Sequence, residues 1–254
     1  MVDGMSSPVI HRSPWRPAIR SLPPGEAVAA IGDVHGHDDL FEALAGALAE
    51  DLSGAVRAIF LQLGDLVDRG PASRAALLRA REGVAGAASI TLKGNHEDRM
   101  LRAAFSGDAA EQALWLDFGG RETLASFGLD DGDGWPARLG HALVRDGLAD
   151  WLDRLPLFFR LGDLFFVHAG IDPGTELDAQ LSRTLMWTRW PFLDSPGPYP
   201  NGVAVIHGHT PTTPLDLDHP HRINLDTGAF RTGILSGLVI AEDRMRLVQA
   251  IRTT

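Results

Sequence analysis

The chain has 254 residues, 44% of them hydrophobic, and a formal charge of -10, so it can bury one substantial core but does not offer the basic surface that generic nucleic-acid binding needs. No run approaches the about 18 apolar residues of a membrane helix, and 1–10 lacks a basic start followed by an apolar stretch, which gives a cytoplasmic protein as the expectation. With no cysteine, disulfide scaffolds, thiolate metal sites and cysteine-based phosphatase chemistry are excluded, and any metal would have to rest on His, Asp, Asn or Glu.

Residues 1–25 hold Pro8, Pro14, Pro17, Pro23 and Pro24 without a periodic pattern and read as an extended or partly disordered lead-in. The domain proper is expected over 26–254. Short apolar runs at 27–31, 58–63 and 89–92 alternate with helical spacing at Leu40, Phe41, Leu44 and Leu48 and again over 74–81, the rhythm of strand and crossover helix. From about 99 to 155 the pattern is mostly helical, with a turn-rich stretch at 130–136, and reads as an insertion or cap to which no chemistry is assigned. The runs 157–161 and 164–167 flank Gly162-Asp163, a pair suited to a two-residue hairpin turn. After a loop with Pro191, Pro196, Pro198 and Pro200, the runs 203–206, 222–225, 235–241 and 245–251 predict further strands. The whole is an α/β chain with a β-rich C-terminal part.

Five predicted strand ends carry ligand-type side chains within a residue or two of glycine. They are Gly32-Asp33-Val34-His35-Gly36, Gly64-Asp65-Leu66-Val67-Asp68-Arg69-Gly70, Gly94-Asn95-His96-Glu97, His168-Ala169-Gly170 and His207-Gly208-His209-Thr210. Strand C-termini of an α/β sheet are where sites assemble. Two divalent cations about 4 Å apart need a carboxylate bridge and further O and N ligands. Asp65 is the candidate bridge, Asp33 and His35 can address one ion, and Asn95, His168 and His209 can close around the other. Such ions acidify a bridging water to hydroxide for in-line attack on phosphorus.

These motifs, in this order, resemble the calcineurin-like metallophosphoesterase superfamily, and the DRG and GNHE forms are most similar to its phosphoprotein phosphatase branch, especially the bacterial and phage members and the symmetrical diadenosine tetraphosphate hydrolases. The resemblance covers about 26–240. It implies an α/β sandwich of two packed mixed sheets flanked by helices, with Asp33, His35 and Asp65 on one metal and Asp65, Asn95, His168 and His209 on the other. It also implies that His96 protonates the leaving oxygen while Asp68 orients it, and that Arg69 grips the phosphate with help from Asn95. Arg189, in Met186-Trp187-Thr188-Arg189-Trp190, resembles the second phosphate-binding arginine, with Arg183 as a competitor. The last motif carries Pro211 where many superfamily members have a further metal-binding His, a departure shared with protein-phosphatase-type members.

Singly, each of these residues has a plainer reading: a Gly-Asp pair is usually a turn or helix cap, and His168 after an apolar run is usually a core histidine. Their joint occurrence reverses that. His11, His37, His141, His219 and His221 keep the plain reading, the six Trp are read as packing, with pocket-shaping the alternative for Trp187 and Trp190 beside Arg189, and His207 and Asp226 are read as lying behind the metal ligands or in a turn. The expected activity is direct hydrolysis of phosphomonoesters with two divalent ions, Mn²⁺ by resemblance and Fe or Zn²⁺ by ligand chemistry, on phosphorylated protein or small phosphoester substrates. A serine/threonine protein phosphatase is the first expectation, a symmetrical bis(5′-nucleosyl)-tetraphosphatase the alternative, and a catalytically silent metal-binding scaffold the reading from another class. In the pocket expected from 99–155 and 188–200, a closed aromatic slot with extra cations would favour the nucleotide, and an open groove the phosphopeptide.

Overall fold

Residues 7–253 are described in the structure, a computed structural model. The elements run β1 (Val9–Arg12), β2 (Arg16–Pro17), β3 (Glu26–Ile31), α1 (Asp38–Leu52), β4 (Arg57–Gln62), α2 (Ser73–Glu82), β5 (Ala88–Thr91), α3 (Asn95–Phe105), α4 (Ala109–Trp115), α5 (Arg121–Ser126), α6 (Trp135–Arg145) and α7 (Ala149–Asp153). They continue with β6 (Phe158–Leu161), β7 (Leu164–Val167), α8 (Ser182–Trp187), β8 (Ala204–His207), β9 (Arg222–Asn224), α9 (Ala229–Thr232), β10 (Ile234–Ala241) and β11 (Arg244–Ile251).

Two mixed sheets stack face to face. The larger runs β1-β11-β10-β3-β4-β5, with β2 also on β11, and the smaller runs β6-β7-β8-β9. In the larger sheet β3, β4 and β5 are parallel, and β3 and β4 are buried along nearly their whole length, as strands covered on both faces must be. Alternation sorts their side chains. Ala27, Ala29 and Ile31 face α1 and the other helices, whereas Val28 and Ala30 join Leu61, Phe166, Ile206 and Ile223 in the apolar layer between the sheets. The outer face of the small sheet, through Phe165, Val167 and Val205, is covered by α8 and the loops around Phe192 and Tyr199. This is the expected α/β sandwich. The predicted hairpin also forms, β6 and β7 pairing antiparallel across Gly162-Asp163.

One expectation is corrected. The stretch 1–25, read as a lead-in without elements, contributes β1 and β2, both hydrogen-bonded antiparallel to β11, and buries Leu22 between the sheets. Two short strands on a sheet edge, half exposed, leave little periodicity to read, yet β11 offers them an open ladder. Met1–Ser6 of that lead-in fall outside the described residues. The helical stretch 99–155 holds most of α3 and all of α4 to α7. Among the described residues no helix is long and apolar enough to cross a membrane.

The parallel run β3-β4-β5 brings three of the glycine loops to one edge, and the parallel pairs β7-β8 and β8-β9 bring the others to meet them. Backbone hydrogen bonds tie the loops together: Val34 and His35 N–H donate to Asp65 O, and Gly208 N–H donates to His168 O.

Candidate metal centre and active site

Asp65 is the hub. Its Oδ2 lies 3.7 Å from His35 Nε2 and 3.9 Å from His96 Nε2, and its Oδ1 lies 3.4 Å from His168 Nε2. Ligand-type atoms therefore fall into two groups that share this carboxylate, His35/Asp65/His96 and Asp65/His168/His209, each within 4.8 Å of one another. Asn95 Oδ1 stands 2.9 Å from both His168 Nε2 and His209 Nδ1. Asp33 stands beside these groups, its carboxylate accepting the His209 N–H at 3.0 Å. All six predicted ligands are thus buried in one place, with His96 closer to the hub than the ligand assignment had it.

The local backbone explains why. His35 Nδ1 donates to Val67 O and His168 Nδ1 to Leu63 O, which turns each Nε2 lone pair toward Asp65 and fixes the tautomer a metal ligand needs. His35, Asp65, Asp68, Arg69 and His209 all adopt positive φ between 45° and 72°. Five side-chain-bearing residues in the left-handed region at one site store strain of about 1 kcal/mol or more each, held by the surrounding hydrogen bonds. A Cβ at Gly208 would collide with the Asp33 carboxylate, so only glycine lets that backbone approach.

The electrostatics suit divalent cations. Burial pushes Asp33 well above the usual carboxylate range, and the nearby charges of Asp226 and Asp65 push the same way. Asp226 rises to about 6, chiefly by burial, and its Oδ2 has no hydrogen-bond partner. Burial would also raise Asp65, but His168 and His96 hold it well below its ordinary value. His168 reaches about 10 despite burial because Asp65 faces it, while His209 falls to about 3 through burial and the charge of His168. Crowded, buried carboxylates and imidazoles that disagree about their protons are reconciled by cations, which favour every carboxylate ionised and every imidazole neutral. The donor set, oxygen and nitrogen without thiolate, fits two divalent ions.

His96 is flanked by partners on both ring nitrogens. Its Nδ1 donates to Asp68 Oδ2 at 2.7 Å, and Arg69 Nη2 donates to its Nε2 at 3.1 Å. Burial lowers the affinity of His96 for a second proton and Arg69 opposes it too, but Asp65 and Asp68 outweigh both and the net direction is upward. Arg69 Nη1 also donates to His35 Nε2 at 2.8 Å, and its guanidinium lies over the Phe230 ring. The cavity in front of His96 and Asp65, ≈ 400 Å³, is lined by Arg69, Arg189, Phe118, Trp187 and Trp190 among others. Arg183, the competitor of Arg189, lines a separate cavity.

Three roles were not read from the sequence. Glu97, fully buried, accepts the N–H groups of Asp65 at 2.9 Å, Leu66 at 2.7 Å and Gly94 at 2.9 Å. Its place three residues after Gly94, at a helix start, is the glutamate half of a capping box, a signal that could have found it. Trp115 and Thr123, from the helical stretch given no chemistry, both donate to Asp68, Trp115 Nε1 at 3.1 Å and Thr123 Oγ1 at 2.7 Å. Nothing local to either residue signals this.

Residues 27–232 match the family described as calcineurin-like phosphoesterase. A symmetrical bis(5′-nucleosyl)-tetraphosphatase of Paracidovorax citrulli (strain AAC00-1) is 35% identical over 161 residues, covering 62% of this chain and 49% of that protein. The chain thus spans about half the length of the first curated relatives it matches. Serine/threonine-protein phosphatase 1 of Salmonella typhimurium (strain LT2) is 29% identical over 219 residues, covering 82% of this chain and 89% of that one. In fold, a crystal structure described as a putative diadenosine tetraphosphatase superposes with a TM-score of 0.61 at 19% identity, over 91% of this chain and 97% of its own.

Proposed function

The chain belongs to the calcineurin-like phosphoesterase family, and we propose that it hydrolyses phosphate esters with two divalent ions held around Asp65, acting on bis(5′-nucleosyl) polyphosphates. The observation that carries the substrate class is the cavity in front of His96: Phe118, Trp187 and Trp190 wall it, and Arg69 and Arg189 line it. Trp190, 64% exposed beside Arg189, is where a nucleobase can stack, since an aromatic face is worth about 1–3 kcal/mol to a stacked base.

Asp33, His35 and Asp65 would hold one ion, and Asp65, Asn95, His168 and His209 the other. Bound there, the ions supply Lewis-acid polarisation of the phosphoryl oxygens and a water of lowered pKa, with Mn²⁺ the ion we expect. Arg69 and Arg189 neutralise the charge of the phosphoryl oxygens and fix its orientation, Arg69 by turning its guanidinium from His35 and His96 to the substrate. His96 delivers a proton from Nε2 to the departing oxygen, and Asp68 steadies the resulting neutral ring through Nδ1. A scaffold that only binds metal has no use for this His96–Asp68 pair.

A second reading, a serine/threonine protein phosphatase, is favoured by the near full-length alignment with the Salmonella enzyme. Metal-stripped protein reconstituted with Mn²⁺ separates them when diadenosine tetraphosphate and a phosphothreonine peptide are compared under one set of conditions. The nucleotide reading expects the larger kcat/KM for the dinucleotide, a larger value for the peptide overturns it, metal-independent turnover overturns the two-ion reading, and absent turnover of both overturns the enzyme reading.

A further inference from the structure

Beside the cavity at His96 lies a larger one, ≈ 540 Å³, whose lining includes Asp98, Arg99, Arg102, Glu111, Arg183 and Trp187. Trp187 is common to the two cavities. Arg99 is wedged in the partition: its guanidinium carbon sits 4.8 Å from the centroid of Phe118 and 4.9 Å from that of Trp187. The two rings attract the cation by cation–π interaction but satisfy none of its N–H groups. Nε and Nη1 of Arg99 are buried without a hydrogen bond, and the nearest acid, Glu111, stays 4.0 Å from Nη1. A buried charged donor left unsatisfied is costlier than a neutral one, so its retention calls for a compensating acceptor.

The other charges sharpen the case. Asp98 is engaged by Arg102 at 3.0 Å, so the acids of this cavity are partly neutralised, while Arg183 is exposed and forms no ion pair among the described residues. Three arginines against two acids make a locally positive pocket on a chain of net charge -10. Electrostatic selection of this kind concentrates anions.

We propose that this second cavity is an anion subsite that takes a phosphate linked to the reacting one, so that the chain selects substrates with at least two linked phosphates. Arg99 and Arg183 bind the distal phosphate, and Trp187 and Phe118 form the wall over which the phosphate chain passes. The proposal rests on the phosphoesterase reading above, and it assigns to that reading the residues that would separate a nucleoside polyphosphate from a phosphopeptide.

Titration calorimetry of the Mn²⁺-loaded protein with ADP and AMP tests it without requiring turnover. Wild type is expected to bind ADP at least about tenfold more tightly than AMP, the scale of one charge-assisted contact. Arg183→Gln and Arg99→Gln should each bring that ratio toward one with AMP affinity unchanged in R183Q. R183Q, on an exposed side chain, keeps the test open if R99Q fails to fold. Equal affinities for ADP and AMP in wild type, or a ratio that neither variant alters, overturn the subsite. Hydrolysis of an aryl monophosphate, measured in parallel, reports on the phosphoesterase reading alone: its absence alongside a preserved ADP preference would sink that reading and leave the anion subsite standing.

Discussion

Asp68 Oδ2 receives the His96 Nδ1–H at 2.7 Å while Trp115 and Thr123 donate to the same carboxylate, so the orienting partner of the proposed acid is itself held from two helices. Asp68 is fully buried, and each of its oxygens has a defined donor. Asp68→Asn should cut kcat about 10- to 100-fold with KM and metal content nearly constant, because the ring loses its fixed orientation and not its substrate. Trp115→Phe, which removes one donor and keeps the packing, should cost several-fold. Steady-state kinetics with metal analysis check both, and a KM effect without a kcat effect would contradict this role.

Glu97 gathers N–H groups from the two loops that carry Asp65 and Asn95. Glu97→Gln substitutes an NH₂ donor for one accepting oxygen and confronts at least one buried N–H with another donor. The expected loss is about 2–4 kcal/mol in urea unfolding, with weaker metal binding as its companion. A variant as stable as wild type would show that the loops hold their shape without this carboxylate.

The pH dependence of stability has a legible contribution far from the site. Arg145 and Arg74 donate to Asp146 and hold its pKa at about 2, below the ordinary 3.8. A depressed carboxylate pKa stabilises the fold above the unfolded value and loses that contribution as pH falls through the folded one. Asp146→Asn should therefore be less stable than wild type by about 1 kcal/mol above pH 4, the two half-exposed arginines being screened by solvent. The gap should close between pH 4 and pH 2. Denaturation midpoints across that range provide the check, and a gap constant with pH would rule out the ion pairs as its source.

Removing metal should destabilise the protein, since Asp33, Asp65 and Asp226 crowd negative charge into a buried space. An ion at 100 times its dissociation constant adds about 2.7 kcal/mol. Differential scanning fluorimetry before and after chelation should show a fall of several degrees in Tm that Mn²⁺ reverses. Identical curves would mean that these carboxylates balance one another without a cation.

Much of the sandwich is legible because buried parallel strands such as β3 and β4 write continuous apolar runs and because Gly162-Asp163 suits only a tight turn. The candidate ligands are legible for a related reason: each sits at a strand end where glycine must admit close backbone approach. Trp115 and Thr123 escaped because their contact with Asp68 spans 47 and 55 residues, and their own neighbourhood reads as ordinary amphipathic helix. Edge strands β1 and β2 escaped because four residues and two residues, half exposed, carry too little pattern. Long-range pairing is set by the assembled sheet, not by local spacing.

The two aromatic walls of the reaction cavity have different freedom to diverge. Trp187 and Trp190 belong to the segment that covers the small sheet and supplies none of the six candidate ligands, so with Arg189 kept its aromatic positions can be exchanged between relatives to reshape the cavity at little risk to the candidate metal centre. Phe118 sits between Trp115 and Thr123, both of which grip Asp68. A lineage acquiring a new substrate would therefore be expected to vary first around 182–193 and only later, with compensating changes, around 115–123.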